Sequence, residues 1–307
     1  MPASNRTSAF VTVNGIRLHY LDWGGQGPAL IFLAGLGSTA YIFSHFAPRF
    51  SDRFRVLGLT RRGHGDSDYP ETGYDPDTLT EDIHQFMDAL RIDRATLIGH
   101  SIAGVELTHF AATHPDRVEK LVYVEALDDR RSLPAIDEQD PLRHIQLQAA
   151  PSPSTPHTLA EYLADLKRNA PGFAEIWSET WEEEIAHGVM VNEAGVVVDR
   201  MPDAVGDALV DNLVRTYAPK RLAASLPTLS IYGQRKKKLS EAYTAEQQAA
   251  YEQYYQSVVL PGFHALIADF QGRFPQAKIV VIPNGHHYCF MAQEELVYAQ
   301  MRSFLLG

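Results

Sequence analysis

Short, continuous apolar runs recur along the chain, and most of them end at turn-forming residues. Unbroken runs of this length are typical of strands that are buried on both faces of a parallel sheet. Segments with helical spacing of their apolar residues, such as 79–90 and 105–112, lie between them. This alternation predicts an α/β fold, with a mostly parallel sheet covered by helices on both faces. The runs are 29–33, 55–59, 95–98, 121–124, 228–232 and 277–282.

The rhythm of strands breaks between residues 128 and 225. This stretch is rich in Asp, Glu, Pro and Trp and has no clear parallel-strand run. We interpret it as a mainly helical lid inserted into a core formed by residues 1–127 and 226–307. Its helical patterns cover 159–168, 173–185 and 202–217.

Two further segments carry local signals. Asn14-Gly15 separates two strand-like runs and predicts a hairpin whose turn residues both have positive φ. Residues 239–275 have the pattern of two helices, and we expect Pro261-Gly262 to break them apart.

Composition limits the partners of the protein. The 307 residues are 45% hydrophobic and 21% charged, with a formal net charge of −11. That charge argues against nucleic acid or an anionic membrane surface as the main partner. The lone cysteine, Cys289, cannot form an intrachain disulfide, and the start of the sequence lacks the apolar segment of a secretory signal. We therefore expect a cytoplasmic protein, and a homodimer stays open.

The most informative motif is the small-residue pattern at 99–104, Gly-His-Ser-Ile-Ala-Gly. It follows an apolar strand and precedes a helical segment. A serine on such a sharp turn is typical of a nucleophile elbow, which leaves no room for large neighbouring side chains. Ala103 stands where glycine is more usual. We predict that Ser101 is a catalytic nucleophile.

A serine hydroxyl needs a base, and the base needs an orienting acid. His286 follows Gly285 at the exit of the last strand, and we predict it as the base, with His287 as its competitor. Glu125 ends an apolar strand, where an unpaired carboxylate would be costly, and we predict it as the acid. The alternative is an ion pair with an arginine such as Arg130. Asp128 is the next acid candidate, but it falls in a polar run that we expect to be solvated.

Acyl transfer also needs two N–H donors for the oxyanion. We predict the backbone of Ile102, directly after the nucleophile, and that of Leu36, with Gly35 or Gly37 as near alternatives. For substrate contacts we predict Gly35, His100, Trp177 and Trp181. Phe173, Trp177 and Trp181 recur every four residues, which puts them on one helix face. They pack against the core or line the substrate pocket.

The assembled motifs resemble the α/β-hydrolase superfamily over nearly the whole chain. Residues 62–67, Arg-Gly-His-Gly-Asp-Ser, look like its R-G-x-G-x-S turn, with Thr60 where an aspartate often stands. Ala34-Gly35 resembles its oxyanion motif with the histidine replaced, and 99–103 and 285–286 match its elbow and its terminal Gly-His. Most members carry the acid after the lid. Some place a glutamate about two dozen residues past the nucleophile, as Glu125 lies here.

The resemblance implies a serine hydrolase that cleaves small carboxylic esters or lactones through an acyl-enzyme on Ser101. No cofactor and no metal are needed. An aspartate nucleophile is usual in the dehalogenases and epoxide hydrolases of this fold, so Ser101 argues against both activities. C–C bond hydrolysis, aminopeptidase-like, lyase and perhydrolase activities, or a catalytically silent ligand-binding role, remain as alternatives.

Overall fold

An eight-stranded sheet forms the centre of the protein. The computed structural model describes residues 6–131, 136, 138–143, 155–220, 222, 225–237, 239 and 243–307. Strand order is β1-β2-β4-β3-β5-β6-β9-β10, and β1 and β2 are antiparallel to their neighbours while all other pairs are parallel. The strands are β1 Thr7–Val13, β2 Ile16–Asp22, β3 Ala29–Leu33, β4 Arg55–Leu59, β5 Ala95–His100, β6 Val118–Val124, β9 Thr228–Gln234 and β10 Lys278–Pro283. The predicted α/β fold class is confirmed.

Helices cover both faces of this sheet. Alternate residues of β3 enter different cores: Leu30 and Phe32 pack on one face, and Ile31 and Leu33 pack on the other. Outside the 128–225 segment the helices are α1 Pro76–Ala89, α2 Ala103–Thr113, α6 Ala245–Tyr254, α7 Leu260–Arg273, α8 Cys289–Ala292 and α9 Glu294–Leu306. The described part of the chain contains no helix with the length and apolarity needed to cross a membrane.

The N-terminal hairpin has the predicted turn. Asn14 and Gly15 connect β1 to β2 with φ values of 49° and 77°. Asparagine and glycine tolerate this left-handed region better than other residues, so the pair fixes the register of the hairpin.

The segment between β6 and β9 contains helices and one small hairpin that the sequence pattern did not reveal. Its helices are α3 Leu159–Asn169, α4 Glu179–Gly188 and α5 Asp203–Val210, and its hairpin pairs β7 Val189–Val191 with β8 Val197–Asp199. The predicted helix over 173–185 is wrong in its first half. Residues 171–176 form a 3₁₀ helix, and α4 begins only after Ser178, whose hydroxyl accepts a hydrogen bond from Trp181 N. Phe173, Trp177 and Trp181 therefore do not share one helix face.

The expected break at Pro261-Gly262 is absent. α6 continues through a π-helical turn, Tyr255–Val259, directly into α7, and Pro261 lies in the first turn of α7. Proline cannot donate the backbone hydrogen bond of a helix interior. The wider π-helical turn accommodates this loss without ending the helix.

Candidate active site

Ser101 occupies a strained turn at the carboxyl end of β5. Its φ is +56°, in the left-handed region that a serine rarely adopts, and α2 begins two residues later. A Cβ at Gly99 would lie 2.7 Å from Leu107 Cδ1, and one at Gly104 would lie 2.5 Å from Leu127 O. At Gly104 the clash would be with backbone, so only glycine fits there, whereas a side chain at Gly99 would require Leu107 to move. The local geometry is that of the nucleophile elbow expected from the sequence.

Glu125 is the first residue after β6 and also has a left-handed backbone, with φ of +50°. Its backbone N–H donates to Ile231 O at 2.8 Å, which anchors it to the neighbouring strand β9. One carboxylate oxygen, Oε1, accepts a hydrogen bond from the Gly233 N–H, and the other, Oε2, lies 3.1 Å from His287 Nδ1. Glu125 is thus held in place at one oxygen and bound to an imidazole at the other.

His286, the predicted base, does not contact Glu125. Its Nε2 lies 3.0 Å from Gly172 O, and its Nδ1 accepts a hydrogen bond from Tyr288 N at 2.9 Å. Both ring nitrogens are therefore engaged elsewhere, and the ring is buried. Burial lowers the pKa of His286 below its usual value. The predicted pairing of Glu125 with His286 is wrong, and the neighbouring His287 takes that place.

Two glycines pack against each other beside the loop that carries His286 and His287. After β10, Asn284 adopts a φ of +55°, and Gly285 then passes against Gly233 at the end of β9. A Cβ on Gly233 would lie 2.5 Å from Gly285 O, so neither strand end could carry a side chain here. The loop that follows this close approach brings His287 to Glu125 and His286 to the Gly172 carbonyl.

His100, the residue before Ser101, contacts both the backbone and the ring of His287. Its Nε2–H donates to the His287 carbonyl at 2.9 Å, and the two ring centroids are 4.6 Å apart. His100 is buried, and burial, followed by the nearby His287, lowers its pKa well below the usual value. The neutral ring holds the loop that carries His287. Its predicted contact with substrate remains a prediction.

Asp128, the second acid candidate, lies away from this pair. It is fully buried and accepts a hydrogen bond from Arg273 Nη2 at 2.7 Å. The expectation that Asp128 would be solvated is wrong, because an arginine of α7 neutralises it inside the protein.

The loop after β3 approaches the serine closely. A Cβ on Gly35 would lie 3.1 Å from Ser101 Cβ and 3.1 Å from His100 Nδ1, so glycine allows this backbone to pass directly over the elbow. Ser38 N donates to Gly35 O at 3.2 Å, and Gly37 has a φ of +76°, which together form a tight turn. That turn does not use the N–H of Leu36. The roles of Leu36 and Ile102 as oxyanion donors remain predictions.

Trp177 and Trp181, both predicted to contact substrate, line two different cavities. One, of about 200 Å³, is lined by Leu36 together with Trp181, Glu184, Ile185 and Tyr288. The other, of about 310 Å³, is lined by Trp177 and by Met291. Trp181 thus lines the same cavity as Leu36 in the loop after β3. Trp177 lines the other cavity, and its indole N–H donates to Glu182 Oε1 at 2.7 Å.

Glu184 is a buried acid in the wall of the smaller cavity. Its Oε1 accepts a hydrogen bond from Thr39 N at 2.7 Å, and its Oε2 contacts the Thr39 hydroxyl. Burial raises its pKa to about 8, although the Thr39 hydrogen bonds act in the opposite direction. The carboxyl is therefore mostly protonated at neutral pH, and this wall of the cavity carries little charge.

Among the described residues, one cluster of three side chains has the chemistry and spacing of metal ligands. Ligand atoms of Glu81, His84 and His114 lie within 4.8 Å of one another. His114 caps the C-terminal end of α2, whereas Ser101 precedes its N-terminal end. The group is therefore not part of the site around Ser101.

The chain matches curated proteins over about a third of its length. The chain is 37% identical over 101 residues to 2-(acetamidomethylene)succinate hydrolase of Mesorhizobium japonicum, which covers 33% of this chain and 36% of that protein. It is 37% identical over 116 residues to N-formylmaleamate deformylase of Pseudomonas putida, covering 38% and 43% of the two chains. The matched segments span less than half of these relatives' own lengths.

Solved structures match over almost the full chain. The structure of E-2-(acetamidomethylene)succinate hydrolase superposes with a TM-score of 0.73 at 22% identity, covering 99% of this chain and 100% of that one. A marine microorganism esterase gives a TM-score of 0.64 at 21% identity, covering 94% and 98%. A family model for the alpha/beta hydrolase fold matches residues 28–195, more than half of the chain. The protein belongs to the alpha/beta hydrolase family.

Proposed function

We propose that the protein is a serine hydrolase in which Ser101 is the nucleophile, His287 the general base and Glu125 the orienting acid. The observation that carries this proposal is the hydrogen bond between Glu125 Oε2 and His287 Nδ1 at the same sheet edge as the Ser101 elbow. Because Nδ1 donates to the carboxylate, the proton of the neutral ring sits there. Nε2 is then free to accept the proton of a serine hydroxyl.

The proposed reaction assigns a step to each of these groups. Ser101 Oγ attacks the acyl carbon while His287 Nε2 takes its proton, and the N–H groups of Leu36 and Ile102 bind the oxyanion. His287 then gives the proton to the leaving alcohol. Water then attacks the acyl carbon while His287 Nε2 takes its proton, and the same nitrogen returns that proton to Ser101 Oγ as the bond between the acyl carbon and this oxygen breaks. The imidazolium that forms in each step is stabilised by Glu125.

We propose small carboxylic esters or lactones as substrates, with an apolar acyl or alcohol group. The cavity beside Leu36 supports this choice, because Trp181 and Ile185 line it and its acid, Glu184, is mostly uncharged. We propose that residues 128–225 form a lid over the site. Trp181, Glu184 and Ile185, which line the cavity, all belong to α4 within this segment. A small-molecule substrate, without nucleic acid or membrane, remains part of this proposal.

Cleavage of an N-acyl group is a second candidate. One relative is named as a deformylase of N-formylmaleamate, and another as a hydrolase of an acetamido compound. The same nucleophile, base and acid would cleave a carbon–nitrogen bond through the same acyl-enzyme.

The test is hydrolysis of p-nitrophenyl butyrate and of an N-acyl p-nitroanilide by wild type and by Ser101→Ala. We expect wild type to cleave the ester and to react with a fluorophosphonate probe. Ser101→Ala should do neither while it keeps its circular dichroism spectrum. Ester hydrolysis that survives in Ser101→Ala would refute the serine mechanism. Faster cleavage of the anilide than of the ester would favour the second candidate.

A further inference from the structure

A buried arginine, Arg61, binds the backbone of the loop after β3. Residues 34–37 of this loop include the predicted donor Leu36, and we refer to them as the oxyanion loop. Arg61 Nη2 donates to Ala34 O at 2.9 Å, and Nη1 donates to Gly35 O at 3.3 Å. The side chain is only 5% exposed. Arg61 thus binds two consecutive carbonyls of the loop that passes over Ser101.

The same guanidinium is tied to the helix that follows the nucleophile. Arg61 Nε donates to Glu106 Oε1 at 2.9 Å, and Nη2 contacts Glu106 Oε2. Glu106 lies in the first turn of α2, one helical turn after Ile102, and its side chain is 3% exposed. One buried ion pair therefore connects the two segments that carry the two predicted oxyanion donors.

We propose that Arg61, fixed by Glu106, is the positioning residue that aims the Leu36 N–H at the oxyanion and sets its distance from the Ile102 N–H. The proposal rests on the serine hydrolase function proposed above. Ala34 has only a methyl group and cannot anchor the loop through its own side chain. Arg61 supplies that anchor through the backbone.

Peptide geometry explains how the anchor acts. The structure has no cis peptide bond among its described residues, so the C=O of Gly35 and the N–H of Leu36 point in opposite directions. Holding the carbonyl on the Arg61 side turns the N–H to the other side, and in this proposal that side faces the oxyanion formed at Ser101. A cation on the carbonyl also polarises the peptide, which strengthens its N–H as a donor.

The neighbouring residue provides a matched control. Arg62 forms an equally buried ion pair with Asp82, with hydrogen bonds of 2.6 Å from Nε and from Nη2. Its Nη1 donates to Thr72 O at 3.5 Å, away from the oxyanion loop. The two arginines thus share burial and pairing but differ in the carbonyls that they hold.

The experiment compares two double variants, Arg61→Met/Glu106→Leu and Arg62→Met/Asp82→Leu. Apolar replacement of both partners leaves no charge buried without its partner, so both variants are expected to fold. For the first, we expect kcat to fall about 10²- to 10³-fold, the loss typical of one oxyanion donor, with KM changed less than about threefold. For the second, kcat should stay within about threefold of wild type.

A second readout separates positioning from general damage. Affinity for an arylboronic acid, which forms a tetrahedral adduct on the serine, should fall in parallel with kcat, while the pH profile of kcat should not move because His287 is untouched. A folded Arg61→Met/Glu106→Leu variant with kcat within threefold of wild type would overturn the proposal. Equal losses in the two double variants would overturn it as well.

A conservative variant covers the case in which the first double variant does not fold. Arg61→Lys keeps the charge beside Glu106, but one ammonium cannot hold both carbonyls and the carboxylate in the arginine geometry. We expect its kcat to fall at least about tenfold, and an unchanged kcat would overturn the positioning role. The outcomes stay separate from the proposed function, because loss of fluorophosphonate labelling in Ser101→Ala tests that function alone.

Discussion

Replacing Glu125 by glutamine should disable the base without moving it. The Gly233 N–H donates to Oε1, so only the amide oxygen of a glutamine can occupy that position. The amide NH₂ must then face His287 Nδ1, at the position where the carboxylate now accepts a hydrogen bond from that nitrogen at 3.1 Å. His287 Nδ1 would then accept a hydrogen bond from the amide, and the ring proton would move to Nε2. That tautomer cannot deprotonate Ser101.

The size of the effect follows from this tautomer change. Loss of the orienting carboxylate costs about 10⁴-fold in kcat in serine proteases, equivalent to about 5 kcal/mol in the barrier. We expect a loss of this order for Glu125→Gln, with KM changed little because the variant keeps the shape of the site. The assay is steady-state hydrolysis of p-nitrophenyl butyrate, together with the rate of fluorophosphonate labelling.

Asp128→Asn is the matched control. Asp128 is also a buried acid close to β6, but its partner is Arg273 rather than an imidazole. We expect this variant to lose stability and to keep a kcat close to wild type in its folded fraction. A Glu125→Gln variant with kcat within tenfold of wild type would refute the assignment of the acid, and a large loss in Asp128→Asn alone would move it to Asp128.

Three further predictions test other parts of the site. Gly35→Ala would place a methyl group 3.1 Å from Ser101 Cβ, so kcat should fall at least about tenfold while the melting temperature changes little; an unchanged kcat would contradict the close approach. Burial raises the pKa of Glu184 to about 8 from 4.5, so the free energy of unfolding should fall as pH rises from about 4.5 to about 8, and melting curves of Glu184→Gln should lack this slope. Trp181→Ala should raise KM for longer acyl esters more than Trp177→Ala does, because only Trp181 lines the cavity beside Leu36; equal effects would contradict that placement.

Local patterns in the sequence predicted much of the fold. Continuous apolar runs located the parallel strands, and Asn14-Gly15 predicted its turn, because burial on both faces and left-handed φ values are requirements of single segments. The Ser101 elbow was recognisable for the same reason. Small residues on both sides of a serine satisfy a steric demand that lies within six consecutive positions.

Contacts between distant segments were not readable from the sequence. His286 and His287 follow the same glycine, and they are distinguished only by the contact of His287 with Glu125, which is 162 residues away in the chain. The polar residues around Asp128 predict a solvated side chain, because its partner, Arg273, is 145 residues away in the sequence. No local pattern reports such contacts.

One error had a local signal. α4 begins at Glu179 because Ser178 caps it, and acidic residues occupy its first turn. This combination is typical of a helix start. The regular spacing of Phe173, Trp177 and Trp181 continues across this helix start, so aromatic periodicity alone predicts a helix that begins too early.

The most direct test of the account compares His287→Gln with His286→Gln. The two residues are adjacent and chemically identical, so the variants differ only in which imidazole is lost. We predict that His287→Gln abolishes p-nitrophenyl butyrate hydrolysis and fluorophosphonate labelling, whereas His286→Gln keeps kcat within about tenfold of wild type. Loss of activity in His286→Gln, with activity retained in His287→Gln, would contradict the triad of Ser101, Glu125 and His287.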